Sequence, residues 1–351
     1  MDFSREPPAF TDPAEAAATV GLRYLGDDSP GISRVKAGTG FAYRGVEGKN
    51  IRDKKALGRI RKLAIPPAWT DVWISPFADS HLAATGRDVK GRKQYRYNPA
   101  FVRVRDTAKY EHVLAFAHVL PALREKIAVD MALAGMPRDK VVATIVHLLE
   151  TTRIRVGNED YARDNGSFGL TTLRNRHVTL AGADIRFVFK GKSGKAWKLK
   201  IHDRRVARVV RACQELPGQH LFQYQDEEGS IQKVSSTDVN DYLRAATGRE
   251  ITAKDFRTWS GTVEAALLLS TAAGDGEAPS KRQIKDALAA TAEKLGNTPT
   301  ICRKCYVHPE IIQAYQDGGL KLRIRRAKGD ARLTPEETAV LNFLKKRLKA
   351  A

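Results

Sequence analysis

The sequence predicts an α+β fold, in which a small β-rich N-terminal domain precedes a larger, mostly α-helical domain that carries a small sheet. Residues 21–105 contain short β-branched or aromatic runs separated by Gly, Asp and Pro. Residues 106–351 are dominated by segments with apolar residues at helical spacing, and one β-hairpin lies among them. A chain of 351 residues is long enough for two domains.

In the N-terminal region, residues 1–20 are acidic and interrupted by proline, which predicts a loose tail. Strands are then predicted in LRYLGDD, ISRVKAGTGFAYRG, DVWIS and HLAATGRDVKGRKQYRY. The basic segment KKALGRIRKL lies between them and predicts one short helix, which should end before Pro66 and Pro67.

The C-terminal region begins with two predicted helices, KYEHVLAFAHVLPALREKIAVDMAL and KVVATIVHLLETTRIRV. A small sheet follows in RHVTL, DIRFVFK and KAWKLKIH, because apolar residues alternate with polar ones in the last two segments. Five later helices are predicted in RRVARVVRACQEL, STDVNDYLRAAT, GTVEAALLLSTAA, KRQIKDALAATAEKL and LTPEETAVLNFLKKRLKA. Ser235 is the predicted N-cap of the second of these helices, and Ser280 is that of the fourth.

The charge balance is strongly positive: 60 Lys and Arg residues against 40 Asp and Glu residues give a formal charge of +20. Such a field favours a polyanionic partner, although a basic protein with a solvated surface remains an alternative. No apolar run is long enough to span a bilayer and no signal core is present, so no membrane association is predicted. Three cysteines fit a reducing compartment, which predicts a cytoplasmic, nucleoid-associated protein.

Two basic stretches in the β-rich domain are candidate nucleic-acid contacts, KNIRDKKALGRIRK and GRDVKGRKQYRY. Cations interleaved with tyrosines suit phosphate contacts combined with packing on sugars or bases, whereas a solvated hairpin is the alternative. The candidate binding residues are Lys54, Lys55, Arg87, Lys90, Arg92, Lys93, Tyr95, Arg96 and Tyr97.

Several familiar chemistries do not fit. The stretch CRKCYVHP contains a Cys-x-x-Cys pair, but a structural zinc site needs four ligands and Cys213 is distant in sequence. KGKSG resembles the end of a phosphate-binding loop, yet Arg186 occupies the position of the first glycine and strands flank the segment. No metal, nucleotide or other cofactor is therefore predicted. The remaining cations and one tyrosine suit metal-free attack on a phosphodiester.

From about Leu22 to at least Tyr315, the sequence resembles the type IB DNA topoisomerases, in particular the bacterial and poxvirus-like branch. The resemblance is carried by RIRVGNEDYARDNGSFGLTTLRNRHV, FKGKSGK, KDFRTWSGT and GNTPTICRKCYVHP, and TGRDVKGRKQYRY resembles the DNA-clamp segment of the family. It implies a phosphate clamp at Arg155 and Arg257, a general acid at Lys192 and a nucleophile at Tyr306. Asn297 stands where the family usually has a histidine that hydrogen-bonds the phosphate.

The resemblance also implies a tyrosine-recombinase-like catalytic fold for residues 106–351 and a DNA-clamp domain at residues 21–105. The expected activity is relaxation of duplex DNA by a monomer, without ATP or metal, through a 3′-phosphotyrosyl intermediate. One alternative is a tyrosine recombinase, which usually carries His-x-x-Arg where this chain has Lys254-Asp-Phe-Arg257. The other is a non-enzymatic DNA-architectural protein, which explains the charge but not the ordered set of site residues.

Overall fold

The computed structural model describes residues 12–274, 278–325 and 333–349. The chain divides into two compact units, Met1–His112 and Val113–Ala351. The division falls within helix α3 (Pro99–Met131). This helix begins about ten residues before Lys109, the first residue of the helix predicted from the sequence.

The N-terminal unit contains a five-stranded antiparallel sheet with strand order β2-β1-β3-β4-β5. The strands are β1 (Ile32–Ala37), β2 (Gly40–Arg44), β3 (Thr70–Ile74), β4 (Leu82–Arg87) and β5 (Lys93–Tyr97). Helix α2 (Lys54–Lys62) is capped by the Asp53 carboxylate, which accepts a hydrogen bond from the Ala56 N–H at 2.6 Å. Its buried Ile60 joins the sheet residues Ile32, Val72, Ile74 and Ala84 in the core of this unit.

The start of this unit differs from the expected loose tail. Helix α1 (Pro13–Ala18) is capped by Asp12, and it buries Ala16 and Ala17 against Phe101. Residues 1–11, which belong to the same predicted tail, lie outside the described residues. The predicted strand LRYLGDD is reduced to one isolated bridge between Arg23 and Ser80.

The C-terminal unit is mostly helical and contains a three-stranded antiparallel sheet, ordered β6-β7-β8. Its strands, together with a separate two-stranded hairpin, are β6 (Val178–Ala181), β7 (Asp184–Lys190), β8 (Ala196–His202), β9 (Gln223–Gln225) and β10 (Ile231–Lys233). Its further helices are α4 (Arg138–Thr152), α5 (Glu159–Asn165), α6 (Arg204–Glu215), α7 (Ser236–Thr247), α8 (Ala253–Gly274), α9 (Lys281–Leu295), α10 (Pro299–Cys305), α11 (Pro309–Gln316) and α12 (Pro335–Lys349).

Both predicted serine caps are present. Ser235 and Ser280 each accept a hydrogen bond from the third backbone N–H of α7 and α9, within full capping boxes. Helix α12 is tied to the unit by Glu337, which pairs with Arg124 at 2.9 Å and accepts a hydrogen bond from the Trp259 indole at 3.0 Å. The α+β fold class predicted from the sequence is confirmed. None of the helices in the described ranges has the length and apolar character needed to cross a membrane.

Candidate active site

Arg257 lies on α8 and is almost fully buried, with 3% of its surface exposed. Its guanidinium donates hydrogen bonds to the backbone carbonyls of Arg153 and, at 2.7 Å, of Leu295. These carbonyls lie at the C-terminal ends of α4 and α9, where the partial negative charge of a helix favours a cation. Burial lowers the pKa of Arg257. Its Nε atom is buried and has no hydrogen-bond partner among the described residues, so one donor remains available.

Arg155 lies two residues beyond the left-handed C-cap of α4, Arg153, whose φ is 60°. One of its terminal nitrogens donates to the Asn297 side-chain oxygen at 2.5 Å and to the Gly296 carbonyl at 3.3 Å. Burial, reinforced by the charge of Arg257, lowers the pKa of Arg155 to about 10. The two guanidinium groups therefore lie close enough for their charges to interact unfavourably, an arrangement that an anion between them would relieve.

Tyr306 follows α10 as its C-cap residue and is half-buried. The guanidinium carbon of Arg257 lies 5.1 Å from the centroid of its ring. Helix α8 also fixes its backbone, because a Cβ at Gly261 would come within 2.7 Å of the Tyr306 carbonyl oxygen. That oxygen accepts a hydrogen bond from the Thr262 hydroxyl at 3.3 Å. The tyrosine and the arginine beside it are thus held by the same helix.

Asn297 comes directly after Gly296, the left-handed residue that ends α9 with a φ of 61°. Since an arginine can only donate, the contact with Arg155 assigns the Asn297 side-chain oxygen as the acceptor. The Asn297 amide nitrogen is buried and has no hydrogen-bond partner among the described residues. A neutral N–H donor therefore stands next to the two arginines, as the family resemblance implies for this position.

Lys192 lies in the tight turn between β7 and β8, which forms a single 3₁₀ turn over Lys192–Gly194. The Gly191 N–H donates to the Lys195 carbonyl at 2.8 Å and closes the turn. The lysine side chain is exposed. The structure thus brings Arg155, Arg257, Asn297 and Tyr306 together. It carries Lys192 on a separate hairpin, where the lysine side chain forms no hydrogen bond or ion pair with the described residues.

All nine candidate DNA-binding residues of the N-terminal unit are exposed, namely Lys54, Lys55, Arg87, Lys90, Arg92, Lys93, Tyr95, Arg96 and Tyr97. Three of the cations already face carboxylates: Arg87 with Asp71 at 3.6 Å, Arg92 with Asp88 at 2.7 Å and Lys93 with Asp27 at 2.7 Å. The rings of Tyr95 and Tyr97 stack with their centroids 5.9 Å apart. Exposed ion pairs of this kind are weak enough to exchange for phosphate contacts.

The cysteines next to Tyr306 are free thiols. Cys302 is buried, which raises the pKa of its thiol to about 11, whereas Cys305 is partly exposed. Within the described ranges, no group of three or more His, Cys, Asp and Glu side chains is arranged to hold a metal ion.

Sequence reasoning assigned no role to the residues that hold the site together, namely Gly261, Thr262, Gly296 and the carbonyls of Arg153 and Leu295. A glycine inside a helical pattern, such as Gly261, does signal close packing. The backbone carbonyls carry no such signal, because any residue type supplies one.

Comparisons with known proteins identify the family to which the chain belongs. The sequence pattern described as the eukaryotic DNA topoisomerase I catalytic core matches residues 92–331, and that of the bacterial DNA topoisomerase IB N-terminal domain matches residues 40–88. These matches place the chain among the DNA topoisomerases.

Two individual relatives identify the type of DNA topoisomerase. The DNA topoisomerase 1B of Acanthamoeba polyphaga mimivirus is 34% identical over 295 residues, covering 82% of this chain and 88% of the viral protein. The DNA topoisomerase 1B of Vaccinia virus (strain Copenhagen) is 24% identical over 273 residues, covering 76% and 83%. The chain belongs to the type IB DNA topoisomerase family.

Among solved structures, the XerH site-specific recombinase bound to difH substrate aligns with a TM-score of 0.32 and 14% identity, covering 54% of this chain and 49% of that chain. This similarity is too low to support an argument about fold or function.

Proposed function

We propose that the protein relaxes supercoiled duplex DNA without ATP or metal, by cutting and resealing one strand through a 3′-phosphotyrosyl intermediate. The observation that carries this proposal is that the Arg257 guanidinium lies over the half-buried ring of Tyr306, while Arg155 lies close enough to both for their charges to interact and donates to Asn297. Two fixed guanidinium groups supply the positive charge that phosphoryl transfer requires in its transition state.

In the proposed reaction, the Tyr306 oxygen attacks a backbone phosphorus and loses its proton to solvent. The bond between phosphorus and the 5′-oxygen breaks, and Lys192 gives a proton to the departing oxygen. Arg155 and Arg257 bind the non-bridging oxygens in the five-coordinate transition state, and the unpartnered amide N–H of Asn297 donates to one of them.

Between cleavage and resealing, the free 5′-hydroxyl end rotates about the intact strand. The hydroxyl then attacks the phosphotyrosine, the tyrosine leaves, and the phosphodiester reforms. One phosphoester is exchanged for another, so the bond energy is kept and no nucleotide hydrolysis is needed. Since torque drives the rotation, supercoils of both signs should relax.

DNA binding in this proposal uses the exposed cations and stacked tyrosines of the β-rich unit, with one chain clamping the duplex. Arg87, Arg92 and Lys93 would exchange their carboxylate partners for phosphates, and Tyr95 with Tyr97 would pack on sugars or bases. The net charge of +20 supports fast, salt-dependent association with a polyanion.

The test is relaxation of a supercoiled plasmid in EDTA without ATP, followed by mapping of the DNA end that stays attached to protein. Relaxation of both supercoil signs with a 3′ attachment is the expected result. A 5′ attachment, a requirement for ATP, or the absence of relaxation by the intact protein would contradict the proposal. Strand exchange between two DNA sites would assign the chain a recombinase reaction instead.

A further inference from the structure

Trp197 on β8 lies between two glycines that flank the residues of the proposed chemistry. A Cβ at Gly191 would come within 2.7 Å of its indole ring, and a Cβ at Gly296 would come within 2.6 Å. The indole is therefore in close contact with both backbone positions. Gly191 immediately precedes Lys192, and Gly296 immediately precedes Asn297.

The indole is itself held in place from the core side of the hairpin. It stacks in parallel on Phe189 of β7, with ring centroids 6.0 Å apart and an interplanar angle of 1°. Phe189 is directly opposite Trp197 in the strand register and is buried. A cross-strand aromatic pair of this kind resists rotation of either ring, so Trp197 presents a rigid edge to Gly296.

The contact at Gly296 reaches the phosphate-binding cluster directly. The Gly296 carbonyl accepts a hydrogen bond from Arg155 at 3.3 Å, and the next residue, Asn297, accepts another from the same guanidinium. The hairpin is anchored a second time, because the Lys190 carbonyl accepts a hydrogen bond from the Phe168 N–H at 2.8 Å. One side chain thus connects the turn that carries Lys192 with the segment that carries Asn297.

We infer that Trp197 is a positioning residue that docks the Lys192 turn on the Gly296–Asn297 segment and so fixes the proton donor relative to the phosphate clamp. This inference rests on the proposed function. Lys192 is exposed on a turn, so its backbone must be held in a fixed position for its side chain to reach one particular oxygen. A misplacement of about 1 Å is enough to cost about 100-fold in rate.

The experiment measures single-turnover DNA cleavage at saturating enzyme on two substrates, one with the natural 5′-oxygen at the scissile phosphate and one with 5′-sulfur. A thiolate leaves without being protonated, so the sulfur substrate does not need Lys192. Trp197→Ala is expected to slow cleavage of the oxygen substrate by about 10- to 100-fold. It should leave the sulfur substrate nearly unaffected, as should Lys192→Ala.

Val188→Ala is the matched control, because Val188 lies on the exposed face of the same hairpin and has 43% of its surface exposed. It should behave like the unaltered protein on both substrates. Trp197→Phe keeps the stack on Phe189 but shortens the reach to Gly296, so it should give an intermediate loss on oxygen only. Because Trp197→Phe retains an aromatic ring against Phe189, the same comparison of the two substrates can be made with it should Trp197→Ala fail to fold.

An equal loss on the two substrates, or no loss on either, would overturn the inference, since a merely structural role affects both reactions alike. Failure of the proposed function gives a different result, because the unaltered protein would then form no covalent adduct with either substrate. A Tyr306-dependent adduct with an unchanged rate ratio in Trp197→Ala would reject the positioning role alone.

Discussion

The arginines of the helical unit and those of the β-rich unit have the same side chain but opposite surroundings. Arg257 is 3% exposed and binds two backbone carbonyls, and burial lowers its pKa. Arg87 and Arg92 are exposed and face the carboxylates of Asp71 and Asp88. The first environment fixes a charge in one position, whereas the second leaves it free to change partners.

Under the proposed function, these two environments suit different roles toward DNA. A buried guanidinium that binds backbone carbonyls but no carboxylate keeps its full positive charge available to an anion, which suits transition-state binding. An exposed ion pair is worth about 0–1 kcal/mol, so its exchange for phosphate costs little and suits general affinity. Removing a charge from the helical unit should therefore change the cleavage rate, whereas removing one from the β-rich unit should change the affinity for DNA.

The largest effect is expected from Tyr306→Phe, which removes the attacking oxygen and leaves the ring beside Arg257. Cleavage and covalent adduct should disappear, while DNA affinity should stay within about twofold because the cations are unchanged. Denaturing gels of radiolabelled DNA detect the adduct, and filter binding measures the affinity. Tyr224→Phe, on β9 of the same unit, is the control. Retained relaxation by Tyr306→Phe would reject the nucleophile assignment.

Replacing arginine by lysine in the two units tests the comparison itself. Arg257→Lys keeps the charge but loses the forked contacts to the Arg153 and Leu295 carbonyls, so cleavage should slow by about 10²–10³-fold. Arg96→Lys loses an exposed hydrogen bond to the Ala64 carbonyl and a guanidinium contact over the Trp69 ring, and it should change cleavage by less than about twofold. Single-turnover cleavage rates of the two variants measure this difference. Equal losses of rate would show that burial does not distinguish the arginines of the helical unit from those of the β-rich unit.

Salt dependence should report on the β-rich unit. Lys90 is exposed and forms no ion pair within the described part of the chain. If it contacts a phosphate, Lys90→Ala should reduce the slope of log K against log salt by about 0.9 and leave the cleavage rate of bound DNA unchanged. Lys36→Ala, on β1 outside the predicted binding set, is the matched variant. An unchanged slope for Lys90→Ala would remove that residue from the interface.

The smallest expected effect is the pH dependence of the Asp27–Lys93 pair. Burial alone would raise the pKa of Asp27, but hydrogen bonds from Lys93 and Thr85 and the charge of Lys93 bring it below its ordinary value of 3.8. Asp27 therefore contributes stability above pH 3.8 that is lost as the pH falls through its folded-state pKa. Lys93→Met should cost about 0.2–1 kcal/mol at neutral pH and nearly nothing in acid. Urea unfolding at both pH values measures this, and an equal cost in acid would contradict the pairing.

The sequence predicts elements well where apolar periodicity and end signals agree. Helices α7 and α9 have both amphipathic spacing and serine caps, and β7 with β8 alternates strictly across a short turn. The elements that the sequence did not predict lack this agreement between apolar periodicity and end signals. Helix α5 buries none of its residues and depends on the Asn158 cap, and β9 and β10 are three residues each. Such short polar elements are set by their tertiary surroundings rather than by local pattern.

The candidate site was predictable only as a set of side chains. Family motifs single out Arg155, Lys192, Arg257 and Tyr306, but they give no role to the Arg153 and Leu295 carbonyls that hold Arg257. Contacts between residues more than a hundred positions apart, such as Arg155 with Asn297, become visible only in the folded chain. For Asn297, the structure adds which side-chain atom is occupied: its oxygen accepts a hydrogen bond from Arg155, which leaves its N–H as the available donor.

Arg257 also sets the order in which a growing chain can acquire its proposed strand-cutting chemistry. Its guanidinium needs a carbonyl from the end of α4 and another from the end of α9, and the tyrosine comes later still, after α10. A ribosome that has reached only α8 has therefore made an arginine without its second anchor and without a nucleophile. Under the proposed function, a chain synthesised only as far as α8 carries the cations of its N-terminal unit but has neither the Leu295 carbonyl nor Tyr306, so it lacks the residues for strand cutting.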